Sequence, residues 1–175
     1  MIKSHKKYER IGQKAAKLSA NFTWIVERFC AILMVLLVLD VWLGIVVRYV
    51  IPLDLTFTEE AARYLMIWTA LLAISAGISR RDHIGVMFLF EKLPPTYCSL
   101  LLLAIDSIAF IFFGFLFYYG VEFALVGESR NSMIFGMSKF LPFLSVPVAS
   151  ALACIQVLLV SIRDQTITPH EFRKP

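Results

Sequence analysis

Thr56-Phe57-Thr58-Glu59-Glu60-Ala61-Ala62-Arg63-Tyr64 opens the stretch that decides the fold. An apolar run from Leu65 to Ile78 follows, and the stretch leaves through Ser79-Arg80-Arg81-Asp82-His83-Ile84-Gly85-Val86. Thr56 and Glu59 have the Thr-x-x-Glu spacing of a capping box, which satisfies backbone N–H groups left without partners at a helix start. Arg63 falls four residues after Glu59 and three after Glu60, close enough to neutralise an acid on the same helical face. Acids also suit the partial positive charge of a helix N-terminus. The stretch therefore predicts a helix from about Phe57 to Ile78, long enough to cross a bilayer.

Composition places the whole chain in the same class. Of 175 residues, 59% are hydrophobic, 14% aromatic and only 17% charged. A soluble domain carries nearer 25% charge and could not hide so much apolar surface. The net charge of +4 sits at helix ends and in the tails, where it sets orientation and does not form a nucleic-acid face. Cys30, Cys98 and Cys154 make no C-x-x-C pair, which argues against a disulfide framework and a membrane thiol oxidoreductase.

In chain order, residues 1–28 carry seven cations against Glu9 and Glu27. Ile11, Ala15, Leu18 and Phe22 recur at helical spacing, which predicts an amphipathic helix on an anionic inner leaflet. A solvated basic tail is the other reading. The first span is Phe29–Val47, interrupted only by Asp40 and Gly44, with a turn at Pro52 and Asp54 leading into the second span, 57–78. Ile84–Phe90 is apolar but too short to cross, and Pro94-Pro95 closes it, so a short interfacial helix or loop is expected there. The third span is Tyr97–Val121, an outer loop covers Glu122–Lys139, and the fourth span is Leu141–Ile162 with a bend expected at Pro147. Residues 163–175 form a polar tail. The expected fold is an all-α integral membrane protein: a basic segment 1–28, a four-helix membrane domain 29–162 and the tail.

Thirteen Lys and Arg residues fall on one side of these spans and four on the other. The positive-inside rule then puts both termini in the cytoplasm, and an even number of spans agrees.

The spans contain little chemistry. Asp40 and Asp106 are the ionisable residues well inside them, while Thr69, Ser75, Ser99, Ser107, Ser150 and Gln156 add little. His5, His83 and His170 lie outside, so haem held between span histidines is excluded. There is no Glu-x-x-His pair, no H-E-x-x-H and no serine elbow. No catalytic residue, metal site or cofactor is expected, and the chain is not expected to be an enzyme. An internal repeat, or a midplane cation for an anionic substrate, is also missing from the pattern, which argues against a self-sufficient transporter.

The opening stretch carries a resemblance. Glu59-Glu60-x-x-Arg63, Trp68, the small-residue segment Ala70–Gly77, Arg81-x-His83, Ile84 and Val86 resemble the small membrane subunit (Q-type, DctQ-like) of tripartite ATP-independent periplasmic (TRAP) transporters. Met87 departs from the acidic residue of that pattern. The resemblance covers roughly Arg48 to Pro95. It implies an accessory subunit in a bacterial inner membrane, working with a large multi-span membrane subunit and a periplasmic substrate-binding protein. It also implies sodium-driven import of organic anions, carboxylates such as sialic acid or C4-dicarboxylates. On this reading Glu59, Glu60, Arg63, Trp68, Arg81 and His83 serve a partner interface or a structural motif. A small membrane enzyme on lipid or quinone and a stand-alone homo-oligomeric transporter are the alternatives. Glu60 is expected to lack an intrahelical partner and so to meet a cation on the large subunit, with Glu59 and Arg63 shaping the helix start. Trp68 has a packing role. Asp40 and Asp106 are expected at similar depth, by counting from Arg28 and Tyr97.

Overall fold

A computed structural model describes residues 2–50, 57–80, 95–132 and 134–166. Five helices follow one another among the described residues: α1 (Ile2–Tyr49), α2 (Phe57–Arg80), α3 (Pro95–Glu128), a single turn α4 (Phe140–Phe143) and α5 (Ser145–Thr166). Four segments are long and apolar enough to cross a membrane: one each in α1, α2 and α3, and Phe140–Thr166, which joins α4 to α5. The all-α, four-span expectation holds. Thr56, Arg81, His83 and the interfacial segment expected between the second and third spans lie outside the described residues.

Residues 2–28 continue into the first span as one 48-residue helix, about 72 Å long. A buried or half-buried stripe runs along it through positions 12, 15, 19, 23, 26, 30, 33, 37, 40, 44 and 47. Steps of three and four define a helix that keeps one narrow seam against its neighbours from position 12 to position 47. The seam is built from Gly12, Ala15, Ser19 and Thr23, while Ile11 and Leu18, expected on the membrane-facing side, remain exposed. Small residues let helix backbones approach in a bilayer, where large apolar side chains gain nothing by leaving lipid. Gly12 sits so close to Thr166 that a Cβ would not fit, which ties the basic end of α1 to the end of α5.

The centre of the bundle is α5. It packs against α1, α2 and α3, and α1 and α2 also pack on each other, whereas α3 rests on α4 and α5. Its buried side is mostly small or polar (Ser145, Ala149, Ser150, Ala153 and Gln156), with Pro147, Val157 and Val160 beside them. The bend expected at Pro147 is present as a break at Leu144 between α4 and α5. Pro147 has no N–H for the Phe143 carbonyl one turn back. Ser145 Oγ donates to the Pro142 carbonyl at 2.6 Å, so a local hydroxyl satisfies part of the opened backbone.

α3 runs to Glu128, seven residues past its expected end at Val121. The extension packs against the break. A Cβ on Gly120 would lie 3.2 Å from Pro147 N, and one on Gly127 would lie 2.8 Å from the Phe143 ring and 3.0 Å from Lys139 O. Two glycines a heptad apart thus let α3 meet the kinked backbone closely, and the rings of Phe123 and Phe143 stack at 4.2 Å.

At the other end, polar side chains hold the helices in register. Gln156 is fully buried and its Nε2 donates to Ser19 Oγ at 2.6 Å and to Thr23 Oγ1 at 3.2 Å. Ser19 Oγ lies 3.3 Å from Ser79 Oγ, and Arg163 donates to the Ser79 carbonyl at 3.3 Å, near the C-terminus of α2 where a cation suits the helix dipole. Arg80 pairs with Glu27 at 2.5 Å. That pair is exposed and contributes under about 1 kcal/mol.

Candidate functional site at the N-terminal end of the second helix

Successive residues on a helix differ by about 100°, and the first turn of α2 uses that difference. Glu59 and Arg63 face outward and are exposed, whereas Thr58 and Glu60 turn into the bundle and are buried. Among the described residues, Glu59 and Arg63 form no ion pair with each other. Glu60 is engaged on both oxygens. Tyr64, one turn along α2, donates its hydroxyl to Oε1, and Ser132 donates Oγ–H to Oε2 at 2.5 Å. Ser132 Oγ in turn accepts the backbone N–H groups of Ile134 at 3.2 Å and Phe135 at 3.1 Å. Two backbone dipoles, a hydroxyl and a carboxylate thus form one chain of hydrogen bonds, charge-assisted at its last link.

The segment that brings Ser132 to Glu60 is a small hairpin between α3 and α4. Lys139 N–H donates to Arg130 O and Ser132 N–H to Met137 O, both at 2.8 Å, and Asn131 bridges Ser138. Gly136 turns it with a φ of 63°, a left-handed conformation that glycine adopts freely. Ser138 Oγ donates to Gly127 O at 3.2 Å and accepts from Phe140 N–H at 3.1 Å, joining the hairpin to both flanking helices. Phe57 and Phe135 approach to 6.2 Å between ring centroids. Beneath the hairpin lies a mostly apolar cleft of about 110 Å³, lined by Tyr64, Trp68, Phe135, Met137, Leu141 and Pro142 among others. Trp68, half-buried, lines this cleft.

The expectation that Glu60 lacks an intrahelical partner is corrected by this geometry. Tyr64 is that partner, and Ser132, 72 residues away in sequence, is the second. Sequence spacing cannot show a loop returning from the far side of a bundle. Ser132, Gly120 and Gly127 were also outside any motif, and Gln156, read as adding little, is the most buried polar side chain. A polar residue on the small-residue face of α5 was the available signal for it.

Asp40 and Asp106 are not brought together. Asp40 lies beside the backbone of Ala62 near the N-terminal end of α2, with Oδ2 buried and without a hydrogen-bond partner. Asp106 is buried on α3, one turn inward of Phe110, whose carbonyl is 4.0 Å from Cys154 Sγ. Cys154 sits half a turn from Gln156, which reaches Ser19 and Thr23 of α1. Asp40 is seventeen residues beyond Thr23, so about 25 Å of helix separates the two levels. Counting from Arg28 and Tyr97 failed because those residues do not start their helices at one level.

These features define an all-helical, four-span membrane subunit in which polar side chains join helices to one another. The chain belongs to a known family: residues 34–166 match the DctQ component of tripartite ATP-independent periplasmic transporters. It is 36% identical, over 69 residues, to a Haemophilus influenzae protein described as a TRAP transporter small permease. That match spans 39% of this chain and 43% of the relative. It is 23% identical over 104 residues to the isethionate TRAP transporter permease protein DctMQ of Oleidesulfovibrio alaskensis, spanning 58% of this chain and 16% of that one.

Proposed function

We propose that this chain is the accessory scaffold subunit of a sodium-coupled importer of organic anions. It docks a large multi-span membrane subunit that carries the substrate, and a periplasmic binding protein delivers that substrate. The observation that carries the reading is the similarity to DctMQ: a stretch like this one occupies 16% of a much longer permease chain. Such an arrangement fits a small module built to stay beside a large one. The isethionate in that relative's name, a small organic sulfonate, supports the anion class in general, with carboxylates such as sialic acid or C4-dicarboxylates as the expected substrates. The exposed apolar side of α3, which includes Ile108, Ile111 and Phe115, gives the subunit surface to place against lipid or a partner helix.

Affinity capture of the tagged chain from native membranes, with mass identification of what accompanies it, tests the reading. A multi-span protein at near-equal amount is expected, and uptake by the captured complex should collapse when sodium is replaced by choline. Capture of this chain alone, or uptake indifferent to sodium, would contradict it.

Orientation forms part of the proposal: both termini in the cytoplasm of a bacterium, with Glu60 and the hairpin on the periplasmic side. A membrane-impermeant thiol reagent added from outside should then label none of Cys30, Cys98 and Cys154. Strong labelling of Cys98 from the periplasm would reverse the assignment.

A further inference from the structure

The inner half of α1 has a face that the bundle does not use. Arg10, Lys14, Lys17, Asn21, Trp24 and Arg28 follow one another at steps of three and four, and all six are exposed. At 100° per residue they fall within an arc of about 80°, directly opposite the seam of Gly12, Ala15, Ser19, Thr23 and Val26 that packs on the neighbouring helices. The arc holds four cations. The acid described nearby, Glu27, lies about 100° round the helix from the middle of this arc and pairs with Arg80.

Midway along the stripe, Ala20, Asn21, Trp24 and Ile25 line a shallow notch. Trp24 is 55% exposed and Ile25 60%, so the notch offers apolar surface beside the charges. The guanidinium of Arg28 stacks 3.9 Å from the Trp24 ring, which holds its charge at the edge of the notch. Immediately beyond Arg28 the helix becomes the apolar run Phe29–Val47.

We propose that this face binds anionic phospholipid, with one lipid seated at the Asn21–Trp24–Ile25 notch. A molecule that joins a phosphate to an acyl chain matches both parts of the site. Arg28, Lys17 and Lys14 meet the phosphate and the headgroup charge, Asn21 supplies an amide donor, and Trp24 and Ile25 cover the first methylenes. A soluble phosphate compound would use only the charges, and an acidic protein segment would leave the tryptophan unused. The placement differs from a helix lying flat on the leaflet, because α1 continues into the bundle and presents only this side. The inference needs the chain to cross a membrane, but it does not depend on the docking reading.

The purified full chain in a mild neutral detergent is titrated with phosphatidylglycerol, and bound lipid is counted by native mass spectrometry alongside thermal unfolding. Retention of phosphatidylglycerol over phosphatidylcholine and a rise in unfolding temperature are expected. Each cation near an anionic lipid surface is worth about fivefold in affinity, so Lys17→Gln with Arg28→Gln should weaken binding roughly 25-fold. Trp24→Ala should weaken it with the charges intact, and Arg63→Gln, at the opposite end of the bundle, should not. These positions are exposed, so the helical circular dichroism should remain unchanged. Equal retention of both lipids, or the same phosphatidylglycerol affinity after Lys17→Gln/Arg28→Gln, would overturn the proposal. Displacement of the lipid by millimolar inorganic phosphate would reassign the site to a soluble anion. Loss of a co-purifying protein with lipid binding intact would reassign it to a protein surface.

Discussion

Gly127→Leu is expected to unfold the half of the bundle around the hairpin at markedly lower temperature than the wild type. The Cβ alone would lie 2.8 Å from the Phe143 ring and 3.0 Å from the Lys139 carbonyl oxygen, and the second of these is backbone that cannot rotate away. Lys139 is fixed on its other side by its N–H bond to Arg130 O, so the clash passes into the hairpin. Overpacking of this kind costs about 3 kcal/mol at the upper end of its usual range. Thermal unfolding in detergent, read by tryptophan fluorescence and by loss of the monodisperse size-exclusion peak, measures it. Gly120→Ala should show a smaller loss, because its nearest contacts, Pro147 N and Val146 Cγ1, are at 3.2 Å and the added side chain is a single methyl. Gly114, on the same helix, has nothing within 4 Å of a Cβ, and Gly114→Ala should match or exceed the wild type. If Gly127→Leu and Gly114→Ala unfold alike, α3 does not pack on the break as described.

Glu60→Lys is expected to release the outer hairpin. The carboxylate accepts from Tyr64 and Ser132, and Lys139 contributes favourable charge nearby. An ammonium group at this position cannot accept from Tyr64 or Ser132, and it would set two cations against each other. Arg130 and Lys139 in the hairpin are natural trypsin sites, so release can be read as faster cleavage from the outer side. The same variant should lower both co-purification of the large subunit and uptake, because the hairpin, the cleft and α4 form one outer surface. Glu60→Gln, which keeps one acceptor oxygen, should fall between. Glu59→Gln should change little, since Glu59 is exposed and unpaired with Arg63. Cleavage and uptake at wild-type levels in Glu60→Lys would show that the hydrogen-bond chain holds nothing in place.

The parts of this fold set by local chemistry were legible in the sequence. Apolar run length predicted four spans, Pro147 predicted the break, and the acids at the start of α2 marked the stretch that anchors the hairpin. What required the bundle was harder to read. The inward face of α1 is its smaller, more polar side, which a ranking of residues by hydrophobicity does not pick out. Gln156 looked inert because its partners, Ser19 and Thr23, are over 130 residues away. Ser132 carried no motif at all. Its importance comes from the carboxylate it meets, and only the antiparallel return of α3 and α5 places it there.

The central claim is that this subunit supports transport by another chain and carries no substrate itself. Proteoliposomes containing this chain alone, the large subunit alone, or both test it directly, with binding protein and labelled organic anion outside and an inward sodium gradient. Uptake is expected only when both membrane chains are present, with the large subunit alone far below that level. Sodium-driven uptake by this chain alone, or full-rate uptake by the large subunit without it, would contradict the account.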